Sequence, residues 1–173
     1  GAISANFAEQ HPDWVKTLVI YDGPACDFTK AMADSVARSV GAADMKGLFT
    51  PQNPDEQYRL LAIAFYDPPK VPAFARKQFY EHAKEKQPGY LGLLQDLLDR
   101  EKQYATKQYT WSMPVYVLWG EGDRLIPPAV GRGIASRNHL PADHLIMIPN
   151  AGHIANVEQK AVFEEQLRRV LKE

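Results

Sequence analysis

Only one cysteine is present, Cys26, so no intrachain disulfide can form and metal sites of the Cys-x-x-Cys kind are excluded. Charge of one sign is not in excess either. The formal net charge is −1 and there is no basic run, which argues against a nucleic-acid partner. Long hydrophobic runs are also missing: the apolar stretches are strand-sized, too short to span a bilayer. What remains is a 173-residue chain with 45% hydrophobic content, globular in type and able to bury a core. A signal peptide would sit ahead of Gly1, so these residues do not indicate a compartment.

Two polar residues stand where apolar segments give way to loops. Asp123 closes a run from Pro114 through Val115, Tyr116, Val117, Leu118 and Trp119 to Gly120-Glu121-Gly122, which reads as a buried strand entering a loop. His153 closes a second run, from His144 through Leu145-Ile146-Met147-Ile148-Pro149 to Asn150-Ala151-Gly152. A long helical pattern opens at Asn156. The interval between Asp123 and His153 has room for one helix, Pro128 to Asn138, so the segment reads as a βαβ unit. A right-handed crossover then brings both strand ends to one edge of a parallel sheet, the edge where ligands bind in open α/β sheets. A carboxylate at that edge can fix the tautomer of an imidazole and stabilise the imidazolium formed when histidine takes a proton from a nucleophile.

Each residue taken alone has a plainer reading. An Asp after Gly is a common turn former, and a histidine at a strand end is usually a satisfied surface or core residue. That plainer reading is kept for the other histidines: His11 beside Pro12, His82 among Glu81, Lys84 and Glu85, and His139 and His144 flanking a loop. Ser4 is rejected as a nucleophile because it lies inside a helical pattern, without the strained strand-to-helix turn that exposes a reactive hydroxyl. Cys26, just after Gly23-Pro24, reads as a small packing residue.

Between Gly23 and Trp111 the sequence shows helical segments broken by proline and glycine, and no strand. Asp27 is expected to cap a helix running to Val40, with Gly41 as its stop. Asn53, Pro54 and Glu56 supply an N-cap, a first-turn proline and a capping-box acid for a helix to Tyr66, which Asp67-Pro68-Pro69 ends. A third helix is expected from Pro72 to Gln87, stopped by Pro88-Gly89, and a fourth from Tyr90 to Arg100. Phe65, Tyr66, Phe74, Phe79 and Tyr80 make the region aromatic, mostly for packing, though pockets between domains often take apolar ligands.

The strand ending Trp119-Gly120-Glu121-Gly122-Asp123, followed by Asn150-Ala151-Gly152-His153 and Glu158, resembles the acid and base segments of α/β-hydrolases. Residues 1–23 resemble the helix leaving that family's nucleophile elbow and the strand after it. The resemblance implies the C-terminal portion of an α/β-hydrolase fold. Its last three strands would be Thr17–Tyr21, Pro114–Trp119 and Leu145–Pro149 of a mostly parallel sheet, with an inserted helical cap. Residues 1–26 and 111–173 would form the core and 27–110 the cap. It further implies Asp123 as acid and His153 as base, with a nucleophile two or three positions before Gly1. Leu125 and Ile154, beside them, are candidates to line the substrate pocket.

The likeness is greatest to lipase and esterase members, including those similar to monoacylglycerol lipases. It implies hydrolysis of a small apolar ester by a Ser-Asp-His triad, without a cofactor. Alternatives remain: a carbon–carbon bond hydrolase of ring-cleavage products, an epoxide hydrolase or dehalogenase with an aspartate nucleophile, or an inactive binding protein on the same scaffold. The Thr17–Tyr21 strand is expected to present an unpaired edge. Its partner would be the N-terminal half of the same protein or an edge-paired oligomer, and the chain alone is expected to be inactive.

Overall fold

A computed structural model describes residues 1–172. Three parallel strands, β1 (Leu18–Tyr21), β2 (Val115–Gly120) and β3 (Leu145–Ile148), lie in the order β1-β2-β3. The register sets Tyr21 beside Leu118 and Gly120 beside Ile148, so the three C-terminal strand ends share one edge. Every residue of the central strand β2 is buried, as its continuous apolar run requires once both sheet faces are covered.

The period-two alternation divides β2 between two layers. Val115, Val117 and Trp119 join Leu18 and Ile20 under α1 (Ala2–Gln10) and α7 (Pro128–Arg137), where Ala5, Ala8, Val130 and Ile134 fill the contact. Tyr116 and Leu118 face the other way, with Ile146 and Val170, against Phe163 and Leu167. These last residues belong to α9 (Lys160–Val170). Helices on both faces of a parallel sheet make an α/β architecture. The Trp119 indole, wholly buried, keeps its N–H satisfied by donating to the Ile126 carbonyl at 3.0 Å.

Five helices lie between β1 and β2 and, as expected, no strand is found there among the described residues. They are α2 (Lys30–Ser39), α3 (Met45–Leu48), α4 (Pro54–Ala64), α5 (Ala73–Asp99) and α6 (Glu101–Tyr104). Their own apolar cluster joins Ala33, Val36 and Ala37 to Met45, Leu48 and Ile63. The Asn53 side chain caps α4 by accepting from the Asp55 and Glu56 amides at 3.1 and 2.9 Å. The Glu56 carboxylate returns to the Asn53 side-chain amide at 2.9 Å, so the start of this helix follows the sequence signal.

Three helix boundaries differ from the sequence reading. Thr29, not Asp27, caps α2, its Oγ1 accepting from Met32 at 3.2 Å. Asp27 instead sits at φ 56° and holds the Arg137 guanidinium, so a tertiary ion pair competes successfully with the local cap. The break expected at Pro88-Gly89 is absent, and α5 runs unbroken from 73 to 99 with Pro88 inside it. An internal proline costs a finite amount, ~3 kcal/mol, and both flanking segments are helical. Contacts to neighbouring elements also hold α5 in place: Arg76 over the Tyr58 ring at 4.0 Å, Tyr80 to the Gln52 carbonyl at 3.1 Å and Gln87 to the Phe49 carbonyl at 3.2 Å. Lastly, the helical pattern after Asn156 divides into α8 (Ala155–Glu158) and α9, with Gln159 at φ −125° between them.

Candidate active site

The loop after β2 is laced to the loop after β3 by backbone bonds. Glu121 donates to the Ile148 carbonyl at 3.0 Å and Gly122 to the Ala151 carbonyl at 2.8 Å. These bonds bring Asp123 and His153 together. Asp123 is 3% exposed, and its two carboxylate oxygens have separate tasks. Oδ1 accepts from the amides of Leu125 and Ile126 at 2.8 and 2.9 Å, which fixes the carboxylate against its own loop. Oδ2 lies 2.8 Å from His153 Nδ1. With the Nδ1 proton committed to that contact, the neutral ring keeps Nε2 as its acceptor. Burial disfavours the imidazolium, but the hydrogen bond and charge of Asp123, followed by the charge of Asp22, outweigh it and hold the His153 pKa above its ordinary value. A buried carboxylate and an imidazole oriented through Nδ1, with Nε2 left as its second nitrogen, form a unit that can take a proton from a nucleophile and pass it on.

Asp22, one position past β1, was not singled out from the sequence. It is 2% exposed, sits at φ 39°, and its Oδ1 accepts from the Gly120 amide at 2.9 Å. Oδ2 is buried with no hydrogen-bond partner among the described residues. Burial, only partly offset by the Gly120 N–H and reinforced by the Asp123 charge, pushes its pKa to about 7. The available signal was positional: Tyr21-Asp22-Gly23 ends its strand at the same sheet edge as Asp123. The neighbouring Tyr21 hydroxyl lies 2.9 Å from Asn156 Oδ1 and 3.2 Å from the His153 carbonyl oxygen, and accepts from the Asn156 amide at 3.1 Å. It thereby ties β1 to the histidine loop.

Of the remaining candidates, Leu125 and Ile154 adjoin the pair and the others lie elsewhere. Leu125 packs against both the sheet cluster and the helical cluster, beside Asp123. Ile154 precedes α8 and its carbonyl accepts from Val157 and Glu158 at 2.8 and 3.1 Å. Ser4 is exposed on α1. Cys26 is buried, and burial, aided by the Asp27 charge, pushes its thiol to about 11, so it stays protonated and unreactive at neutral pH. His144 Nδ1–H donates to the Val115 carbonyl at 2.8 Å while the ring stacks on Tyr116, a structural role. His11 packs with Phe7 and Trp14.

Three parallel strands sandwiched by helices, with a buried carboxylate and an imidazole paired on the loops at one strand edge, make the class of an open α/β fold with its polar pair at the C-terminal ends of the strands. A family model described as the alpha/beta hydrolase fold matches residues 1–160, and the chain belongs to that family. Its sequence is similar to Lipase 1 of Psychrobacter immobilis, 28% identical over 161 residues, and to Lipase 3 of Moraxella sp. (strain TA144), 27% identical over 160. These alignments cover 91% of this chain but 48% and 49% of the two lipases, so the chain spans about half the length of the curated relatives it matches.

Solved structures with the same fold include a membrane phospholipase A described as a bacterial virulence factor, with TM-score 0.71 and 20% identity. The match covers 99% of this chain and 53% of that one. Another is the meta-cleavage product hydrolase from Pseudomonas fluorescens IP01, with TM-score 0.71, 15% identity, and 99% and 61% coverage. No described helix is long and apolar enough to cross a membrane.

Proposed function

We propose that this chain is the acid–base portion of a carboxylic ester hydrolase of the lipase and esterase kind. The observation that carries the reading is the 2.8 Å contact of His153 Nδ1 with Asp123 Oδ2, while Asp123 Oδ1 is held by two backbone amides. The nucleophile is a serine contributed by polypeptide ahead of Gly1. Residues 27–110 are the cap, and the substrate is a small apolar ester, with Leu125 and Ile154 beside it.

The serine Oγ attacks the ester carbonyl carbon as its proton passes to His153 Nε2. The imidazolium, stabilised by Asp123, gives that proton to the departing alcohol oxygen and leaves an acyl-serine. Water then attacks the acyl carbon, losing a proton to the same Nε2, and the acid leaves as the serine is reprotonated. An ester is preferred over a carbon–carbon bond because the sequence relatives reported above are lipases, whereas the likeness to the meta-cleavage product hydrolase is one of fold.

A fluorophosphonate probe on the full-length protein tests this reading. Labelling of a serine, reduced on the order of 10²–10⁴-fold in rate by His153→Ala, is the expected result. No labelling points to an aspartate nucleophile or to a binding protein and overturns it.

A further inference from the structure

The loop that carries Asp123 and the short helix that follows His153 carry two side chains that hold the last turn of α4 and the segment leaving it. Arg124, immediately after Asp123, donates from Nη2 to the carbonyls of Ala62 and Phe65 at 2.9 and 2.7 Å. The Ala62 carbonyl belongs to the last turn of α4, where intrahelical partners run out. Glu158, at the end of α8, approaches the same segment from the histidine side. Its Oε1 accepts from the amides of Tyr66 and Asp67 at 2.8 and 3.1 Å, and its Oε2 from the amide of Gly152 at 2.7 Å.

The backbone is fitted to this contact. A Cβ on Gly152 would lie 2.6 Å from the Ala64 carbonyl oxygen and the Tyr66 nitrogen, and one on Gly122 would strike the Tyr66 ring. The residues directly before His153 and Asp123 are thus both shaped to the 64–66 backbone and ring. Glycine at both positions permits the approach.

We propose that Arg124 and Glu158 are positioning residues that make segment 62–67 a latch, through which the seating of the helical cap and the geometry of the Asp123–His153 pair are coupled. The kinetic side of this proposal rests on the hydrolase reading; the latch itself does not. Glu158 suits the task because a carboxylate offers acceptors on both oxygens and no competing donor. Its bonds to amides are charge-assisted, hence stronger than neutral ones. A glutamine can satisfy one side only, since its NH2 group would face amide donors on the other. Because Glu158 holds the Gly152 amide and the Tyr66–Asp67 amides with one side chain, displacement of the cap segment pulls on the residue next to His153. Arg124 transmits the same displacement to the residue next to Asp123.

The test uses the full-length protein and the variants Glu158→Gln and Arg124→Ala, read by hydrogen exchange and by ester turnover per folded molecule. Glu158→Gln is expected to speed exchange of the Tyr66, Asp67 and Gly152 amides together, with the β2 amides unchanged. It should lower kcat by about 10-fold, since small misplacement of catalytic groups is costly, with a lesser change in KM. Arg124→Ala should reproduce the kinetic change and loosen the Tyr66 and Asp67 amides, and the double variant should lose less than the product of the two. The latch is overturned if Glu158→Gln frees the Gly152 amide alone, or if thermal stability falls while kcat per folded molecule holds. Should the unmodified protein show no ester turnover, the hydrolase reading falls by itself and the exchange pattern decides the latch.

Discussion

Asp22 sits in an environment at odds with its chemistry. A buried carboxyl with one satisfied oxygen and one orphaned oxygen favours the protonated form, which removes the charge. Its pKa rises from near 3.9 in an unfolded chain to about 7 in the fold. The folded chain therefore binds more protons between these values, and this residue makes stability fall as pH rises from roughly 4 to 7, by at most about 1.4 kcal/mol per pH unit. Asp22→Asn should flatten that slope, measured as denaturant midpoints across pH. Because the Asp22 charge also helps to hold up the His153 pKa, under the proposed function the same change should move the acid limb of the full-length protein's pH–rate profile to lower pH. An unaltered slope would show that Asp22 finds a partner in solution.

The Asp123–His153 contact was legible because strand, loop and spacing rules place both residues on one edge. Asp22, bonded to an amide 98 positions away, was not. Nor was the attachment of Glu158 to amides 91 and 92 positions distant. Neither sequence interval carries a periodic signal, and the bonded partner is backbone, which any residue supplies.

At the scale of elements, the strands and α7 followed from hydrophobic period and turn residues, and α4 from its capping box. The departures arise where a tertiary contact outweighs a local signal. Asp27 gave up its cap to bind Arg137. Likewise Pro88 did not break α5, whose attachments at Arg76, Tyr80 and Gln87 all lie on the N-terminal side of the proline. An internal proline lacks the N–H that would bond four residues back and crowds the carbonyl there. Pro88→Ala should therefore stabilise the helical region by about 1–3 kcal/mol, seen as a raised Tm with unchanged helix content. A fall in Tm would mean that the proline ring itself makes a packing contact worth more than the lost bond.

For the whole molecule, the sheet and the surface point the same way. Strand β1 pairs with β2 on one side and with no other strand among the described residues. Its outer row of amides and carbonyls is a template for another strand. Nearby, Ile3, Phe7 and Leu93 are 80%, 44% and 66% exposed and line one groove with Gly1, Pro24 and Tyr104. Apolar side chains gathered around one groove favour a covering partner. Under the proposed function that partner is the preceding half of the same protein, which also brings the serine and completes the sheet. Purified residues 1–173 should accordingly show no ester turnover, no fluorophosphonate labelling and a broad unfolding transition. Mixing them with the separately expressed preceding half should restore labelling and sharpen the transition, because pairing along β1 would set the serine against His153 Nε2. Sharp, reversible unfolding together with ester turnover by residues 1–173 alone would place the nucleophile within this chain and refute an upstream serine.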